Sequence, residues 1–213
     1  MRHVASWPLS LPRDYQEVVV SKFLVGVFVG GRAVRLGGLA KGLLRAPDTD
    51  EPLVSRLARI SHEAILDSEF VLVGDARDYA DLGYASIADD PKGVGPIGAL
   101  IALLSHAKRL GRDAIALAAD LPFVSRELLV RLAEHSPGSA VVAPRVDGMW
   151  HPLFARYESE RALVAARTTL AEGHRALHRV LTRLGETATE LPLTQDEAAL
   201  LKDWDTPEDI GRG

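Results

Sequence analysis

Cysteine is absent from this chain of 213 residues, and aromatic residues make up only 6% of it. The lack of cysteine excludes disulfides, iron–sulfur clusters, cysteine-based zinc sites and thiol catalysis. The core must therefore consist mostly of Leu, Val, Ile and Ala. The longest apolar run, residues 23–29, is far too short to span a bilayer, and the N-terminus lacks the long apolar segment of a signal peptide. We therefore expect a cytoplasmic protein that has no membrane partner.

An excess of positive charge is also missing, since 29 Asp and Glu residues outnumber 25 Lys and Arg residues and give a net charge of −4. Proteins that bind nucleic acids usually have a strongly basic surface, so no nucleic-acid partner is predicted. A small anionic ligand needs only a local cluster of cations. The length suits one α/β domain. We expect residues 22–213 to form this domain and residues 1–21 to form an N-terminal extension.

Apolar runs of strand length alternate with amphipathic helical patterns along the chain. The predicted strands are residues 23–29, 70–73, 114–119, 139–143, 151–157 and 190–193. The predicted helices are residues 53–65, 97–110, 126–134 with Ser125 as its cap, and 158–184 with a break at Gly173. Near-continuous apolar strands are typical of a parallel sheet that is covered on both faces. The predicted fold class is therefore α/β, a single-domain three-layer α/β/α arrangement around a mostly parallel, Rossmann-like sheet.

The segment directly after the first predicted strand combines glycines with cations. Gly30 and Gly31 let the backbone approach a phosphate, and Arg32, Arg35 and Lys41 follow shortly after them. This pattern predicts a polyphosphate-binding loop, although a solvated surface loop would have the same composition. The segment is not a P-loop, because arginine and alanine stand where that motif requires lysine followed by serine or threonine.

Further polar groups follow later strands, and open α/β sheets bind ligands at the carboxyl ends of their strands. Asp120 ends an apolar strand and suits Mg²⁺, which takes one or two carboxylates plus phosphate oxygens. The alternative for Asp120 is a cap of the next helix, a role that Ser125 fills better. Gly95 and Pro96 open a helix whose N-terminal N–H groups can hold part of a nucleotide. Asp89 precedes them in a turn.

Taken together, these segments resemble the molybdenum cofactor guanylyltransferase family. The family's first loop, roughly L-A-G-G-x-x-x-R-M-G-x-x-D-K-x-L-L, aligns without a gap with residues 28–44. Its G-P-L-A-G helix start, its aspartate–proline turn, its H-P-x-x-A strand and its C-terminal T-P-E signature follow in order. They correspond to residues 95–99, 120–123, 151–155 and 203–209. The match covers about residues 22–210.

The resemblance implies the fold of the nucleotide-diphospho-sugar transferases and a definite reaction. The terminal phosphate of molybdopterin attacks the α-phosphate of Mg-GTP, and pyrophosphate leaves. The implied catalytic residues are Arg35, Lys41 and Asp120, with Mg²⁺ on Asp120. The implied nucleotide-binding residues are Val29, Gly30, Gly31, Arg32, Arg35, Lys41, Gly74, Asp89, Gly95 and Pro96. The implied acceptor-binding residues are His151, Pro152, Asp203 and Asp205. The partners implied are GTP or another NTP, a phosphorylated acceptor and, transiently, molybdenum cofactor enzymes.

The chain departs from the family pattern at several positions. Ala40 stands where an acidic residue usually precedes the lysine, and Gly74 and Asp203 stand where the family often has asparagine. Phe28 and Val29 replace the usual Leu-Ala. Two other enzymes keep the same fold: a cytidylyltransferase, or an NTP transferase for a different phosphorylated acceptor. A catalytically degenerate nucleotide-binding module is a further alternative.

A dinucleotide-binding fold is the remaining alternative. Residues 93–98 match G-x-G-x-x-G and precede a helix, but Asp89–Lys92 separate them from any clear strand. The sequence makes no prediction about the oligomeric state.

Overall fold

The computed structural model describes residues 23–30, 32–33 and 39–204, with residues 32, 33 and 39 described through their backbone only. The strands are β1 (Phe23–Phe28), β2 (Arg32–Ala33), β3 (Leu39–Ala40), β4 (Glu69–Val73), β5 (Ser86–Ile87), β6 (Asp113–Ala118), β7 (Val141–Ala143), β8 (Arg145–Val146), β9 (Met149–Trp150), β10 (Phe154–Tyr157) and β11 (Ala188–Glu190). The helices are α1 (Leu53–Ala64), α2 (Pro96–Arg109), α3 (Arg126–Glu134), α4 (Ser159–Ala171), α5 (His178–Leu184) and α6 (Gln195–Ala199). Within these ranges, no helix has the length and apolar character needed to cross a membrane.

A seven-stranded sheet in the order β11-β7-β10-β6-β1-β4-β5 forms the centre of the fold. β1 pairs in parallel with both β4 and β6, and Val25 lies between Phe70 and Ile115. β10 alone among these strands runs antiparallel to its neighbours β6 and β7. Parallel neighbours need crossover connections, and α1 joins β1 to β4 in this way. The predicted mostly parallel sheet is confirmed.

Helices cover both faces of the sheet. Successive side chains of a strand point to opposite faces, so neighbouring residues of β1 pack against different helices. Leu24 belongs to a core cluster with residues of α2, α4 and α5, such as Leu100. Val25 belongs to a second cluster with residues of α1 and α3, such as Leu57 and Leu129. The three-layer α/β/α arrangement is therefore confirmed.

The first core segments lie where the sequence predicts them, while several short elements differ. The helix Arg126–Glu134 is confirmed, and its cap Ser125 accepts a hydrogen bond from the N–H of Leu128 at 3.2 Å. The predicted strand at residues 151–157 is too long, because residues 151–153 form a turn in which the N–H of Phe154 donates to the carbonyl of His151 at 3.1 Å.

The last strand ends earlier than predicted. β11 spans Ala188–Glu190 rather than residues 190–193, and Pro192 has no N–H with which to continue a ladder. The strands β2, β3, β5, β8 and β9, of two residues each, carry too little periodicity to be predicted. Residues 1–22 lie outside the described residues, so the N-terminal extension stays a prediction.

Candidate active site

A cavity of about 380 Å³ opens at the carboxyl edge of the sheet, where β1, β4 and β6 end. Parallel strands bring their following loops together at this edge, which is the usual ligand site of open α/β sheets. Segments that are far apart in the sequence therefore share its wall. The lining residues are Phe28, Val29, Gly30, Lys41, Val73, Gly74, Tyr79, Asp89, Gly95, Pro96, Ala99, Ala118, Ala119, Asp120 and Leu153.

An ion pair joins two walls of the cavity. Nζ of Lys41 donates to Oδ2 of Asp120 at 2.8 Å, and the two side chains are 20% and 19% exposed. Lys41 begins a short 3₁₀ turn directly after β3, whereas Asp120 follows β6 at the carboxyl edge. The structure thus brings together two residues that are 79 positions apart and that the sequence predicts as catalytic. A cation and a carboxylate at this spacing suit the binding of a phosphate chain and a divalent metal.

The backbone of Asp120 anchors the carboxyl-terminal segment of the described chain. Its carbonyl accepts a hydrogen bond from the N–H of Trp204 at 3.1 Å. The ring of Trp204 packs edge-on against Phe123, with centroids 6.0 Å apart. The alternative role of Asp120 as a helix cap is wrong, because Ser125 caps α3. Asp203, predicted on the acceptor side, is therefore held next to a residue that contacts the cavity wall.

Asp89 brings a second carboxylate to the cavity. Its Oδ1 is buried and has no hydrogen-bond partner among the described residues. Burial raises the pKa of Asp89 and the negative charge of Asp75 adds to this effect, while the positive charge of Lys92 opposes it. A buried acceptor without a donor costs free energy. This oxygen is therefore suited to a ligand that donates N–H groups.

Gly74 keeps the floor of the cavity open. Its φ is +113°, and a Cβ built on it would lie 3.3 Å from the backbone nitrogen of Gly30 and 3.7 Å from Oδ1 of Asp89. A side chain here would strain the backbone and crowd the approach of Gly30. The close contact between the ends of β1 and β4 is thus compatible with the glycine that this chain has at position 74.

The start of α2 forms another part of the wall. Gly95 is the N-cap residue and makes no side-chain cap, and Pro96 occupies the first turn. Both residues line the cavity, together with Ala99. The first N–H groups of a helix lack partners within the helix and carry the positive end of its dipole, so they favour polar or anionic ligands. Gly95 and Pro96 therefore lie at the cavity beside such groups, and their role in nucleotide binding stays a prediction.

His151 and Pro152 lie in the turn that leads to Leu153, which is a cavity-lining residue. Burial lowers the pKa of His151, although the negative charges of Asp203 and Asp147 oppose this shift. His151 is thus close enough to Asp203 for an electrostatic interaction. His151 and Pro152, which the resemblance places at the acceptor, thus directly precede a cavity-lining residue, and their role stays a prediction.

Four other residues predicted for the site lie wholly or partly outside the described residues. Gly31, Arg35 and Asp205 lie outside the described residues, and Arg32 is described only through its backbone, which pairs with Ala40 between β2 and β3. Their roles stay predictions. Val29 and Gly30 line the cavity, and their role in nucleotide binding stays a prediction.

Tyr79 is a cavity residue that the sequence reasoning missed. It lies in the 3₁₀ helix Arg77–Leu82, and its Oη accepts a hydrogen bond from the N–H of Gly42 at 3.2 Å. Burial raises the pKa of Tyr79, so the phenol stays neutral. The contact fixes the turn that carries Lys41. No motif marks Tyr79; only its position shortly after a buried strand could have indicated it.

The chain matches the model of the MobA-like NTP transferase domain over residues 25–188. A molybdenum cofactor guanylyltransferase of Pseudomonas putida is 35% identical over 167 residues, which cover 74% of this chain and 81% of that protein. A molybdopterin-guanine dinucleotide biosynthesis protein A from Archaeoglobus fulgidus superposes with a TM-score of 0.69 at 24% identity, covering 88% of this chain and 95% of that chain.

A more distant structural relative belongs to the cytidylyltransferases. The 2-C-methyl-D-erythritol 4-phosphate cytidylyltransferase from Thermus thermophilus superposes with a TM-score of 0.62 at 15% identity, covering 88% of this chain and 95% of that chain. Both solved structures share the nucleotidyltransferase fold with this chain. The alternative of a dinucleotide-binding fold is therefore wrong.

Proposed function

Because the chain belongs to the MobA-like NTP transferase family, we propose that it transfers GMP from GTP to the terminal phosphate of molybdopterin. An oxygen of that phosphate forms a bond to the α-phosphorus of GTP. The bond between this phosphorus and the oxygen that bridges to the β-phosphate breaks, and pyrophosphate leaves with the electron pair. The acceptor phosphate is already ionised at neutral pH, so the reaction needs positioning and neutralisation of charge more than a strong base.

The observation that carries this proposal is a single cavity lined by both the Lys41–Asp120 pair and Asp89, whose buried Oδ1 has no hydrogen-bond partner in the described part of the chain. Lys41 neutralises phosphate charge, as a preorganised cation does in phosphoryl-transfer sites. Asp89 favours guanine over cytosine. Guanine offers adjacent N–H donors at N1 and N2, which one carboxylate can accept, whereas cytosine offers one amino donor beside an acceptor.

The proposal also assigns roles in substrate binding to the remaining predicted residues. Gly30, Gly31, Arg32 and Arg35 hold the triphosphate together with Lys41. Val29, Gly74, Gly95 and Pro96 surround the nucleoside. His151, Pro152, Asp203 and Asp205 face the acceptor. Transient contact with molybdenum cofactor enzymes and the cytoplasmic location stay predictions.

Enzymes of this family use a divalent metal, and the donors of the cavity fit one with few protein ligands. Within residues 23–30 and 39–204, no group of three or more His, Asp or Glu side chains could enclose a metal. Asp120 supplies one carboxylate at the cavity wall. Mg²⁺ usually binds through one or two carboxylates plus phosphate oxygens and water. We therefore propose Asp120 as the protein ligand of Mg²⁺, which when bound would neutralise charge on the non-bridging oxygens.

Nucleotide profiling tests the proposal. The protein is incubated with molybdopterin, Mg²⁺ and each NTP in turn, and pyrophosphate release is measured. We expect the wild type to release pyrophosphate with GTP. An Asp120→Asn variant should be folded and should release pyrophosphate much more slowly. Release with CTP instead would make the chain a cytidylyltransferase. Tight GTP binding without release in the wild type would make it a catalytically degenerate module.

A further inference from the structure

A small hairpin stands at the carboxyl edge of the sheet, directly after β7. β8 and β9 pair antiparallel, with Arg145 opposite Trp150. Asp147 and Gly148 form the two-residue turn with φ values of 52° and 76°, as expected for an Asp-Gly hairpin turn. The N–H of His151 donates to the carbonyl of Pro144 at 3.0 Å and closes the base. The hairpin is thus a defined structure outside the main sheet.

Arg145 and Trp150 stack on one face of this hairpin. Cζ of Arg145 lies 4.1 Å from the centroid of the Trp150 ring. Trp150 is half-buried and packs against the first core cluster. The Arg145 side chain remains 43% exposed, and its Nε lies 3.8 Å from Oε2 of Glu190. The tryptophan ring therefore restrains the position of a partly exposed guanidinium through a cation–π contact.

The hairpin lies on the acceptor side of the cavity. Trp150 is three residues from the cavity-lining Leu153, so their Cα atoms are at most about 11 Å apart. His151 follows Trp150 directly and interacts electrostatically with Asp203. Asp203 in turn precedes Trp204, whose backbone N–H donates a hydrogen bond to the carbonyl of Asp120. The stacked pair therefore borders the region in which an acceptor must lie to reach a nucleotide at Lys41 and Asp120.

We propose that Arg145 binds the planar ring system of the acceptor by stacking, with Trp150 as the residue that positions it. This inference rests on the proposed function, which supplies an acceptor with a flat pterin ring and a phosphate. The guanidinium lies over the indole ring and stays partly exposed, and guanidinium groups stack on planar rings as well as on aromatic side chains. A lysine ammonium would keep the charge but would lack this flat surface.

The test uses the full chain and the variants Arg145→Ala, Arg145→Lys and Trp150→Phe. Pyrophosphate release is measured with molybdopterin varied at saturating GTP, and then with GTP varied at saturating molybdopterin. We expect Arg145→Ala to raise the KM for molybdopterin at least about fivefold and to leave the KM for GTP within about twofold. Arg145→Lys should behave like the alanine variant, and Trp150→Phe should show a smaller rise. Arg109→Ala, at the opposite end of α2, is the matched control.

Several outcomes would overturn the inference. An unchanged KM for molybdopterin in Arg145→Ala would show that the arginine does not contact the acceptor. A wild-type KM in Arg145→Lys would show that charge alone is sufficient and that stacking is not the contact.

A wild type that releases no pyrophosphate with molybdopterin and GTP would refute the proposed function instead. Equilibrium dialysis of free pterin, which has no phosphate to react, then decides the inference independently. Pterin binding that is weakened in Arg145→Ala but not in Arg109→Ala supports it. Absence of binding to the wild type, or equal binding by both variants, overturns it.

Discussion

Replacing Trp204 by alanine is expected to destabilise the fold and to release the carboxyl-terminal segment from the cavity wall. Trp204 is only 2% exposed and belongs to a cluster with Ala46 and Leu53, against which Phe123 packs. The backbone N–H of Trp204, which alanine would keep, donates a hydrogen bond to the carbonyl of Asp120. The ring of Trp204 thus packs the segment that contains Asp203 against Phe123, three residues after the Asp120 that is proposed to bind the metal.

The size of the effect follows from the burial of Trp204. A buried tryptophan removes roughly 150–250 Å² from solvent, and at about 25 cal/mol per Å² this corresponds to about 4–6 kcal/mol. Measured losses for Phe or Trp replaced by alanine in a core are about 3–5 kcal/mol. We therefore expect the free energy of unfolding to fall by about 3–5 kcal/mol. Trp204→Phe keeps an aromatic ring in the cluster and should lose clearly less.

Two measurements test this expectation. Denaturant unfolding, followed by far-ultraviolet circular dichroism, gives the change in the free energy of unfolding. Steady-state kinetics on the folded fraction should show a higher KM for molybdopterin and little change in the KM for GTP. Equal midpoints for Trp204→Ala and wild type would refute the packing argument. A large loss of stability with an unchanged KM for molybdopterin would separate the segment from acceptor binding.

The other predictions concern the cavity and its supporting turn. Lys41→Met should lower single-turnover rates by about 10²–10³, and a wild-type rate would exclude Lys41 from the site. The raised pKa of Asp89 means that wild-type GTP affinity falls as acidification protonates this carboxylate. Asp89→Asn should bind GTP more weakly at neutral pH, and its GTP affinity should no longer fall on acidification. GTP titrations at several pH values measure both effects, and an unchanged affinity in Asp89→Asn would contradict the role of Asp89. Gly98→Ala should cost about 1–3 kcal/mol, because its Cβ would lie 2.3 Å from the Pro91 carbonyl oxygen. Gly138→Ala, where a Cβ meets nothing within 4 Å, is the control, and equal Tm values would contradict the argument.

The sequence predicts the strands that are long and apolar, and with them the edge of the sheet at which the site lies. β1 and β6 are nearly continuous apolar runs, so their carboxyl ends identify the loops of Lys41 and Asp120. The ion pair between those side chains could not be predicted. It depends on the turn after β3 and on Tyr79, which no local pattern connects to Lys41.

The hairpin of β8 and β9 shows a different limit. Its signal is present in the sequence, because Asp147 and Gly148 form a favoured turn pair. The flanking strands contain only two residues each, however, so no alternation can build up. The stacking of Arg145 on Trp150 arises from strand pairing across this turn. Cross-strand contacts of this kind are visible only once the register is known.

The described lining of the cavity carries a net negative charge, which bears on the binding of a triphosphate. The charged residues that line it in the described part of the chain are one cation, Lys41, and two carboxylates, Asp89 and Asp120. A triphosphate carries several negative charges and would be repelled by this set. Ala40, which stands where the family usually has an acidic residue, adds no further negative charge, and it is buried in the second core cluster. We therefore expect additional positive charge from the proposed divalent metal and from Arg35, whose role is a prediction. Removal of the metal with a chelator should therefore strongly weaken GTP binding by the wild type, and Arg35→Ala should weaken it further. If neither change lowered the affinity for GTP, the triphosphate would bind elsewhere.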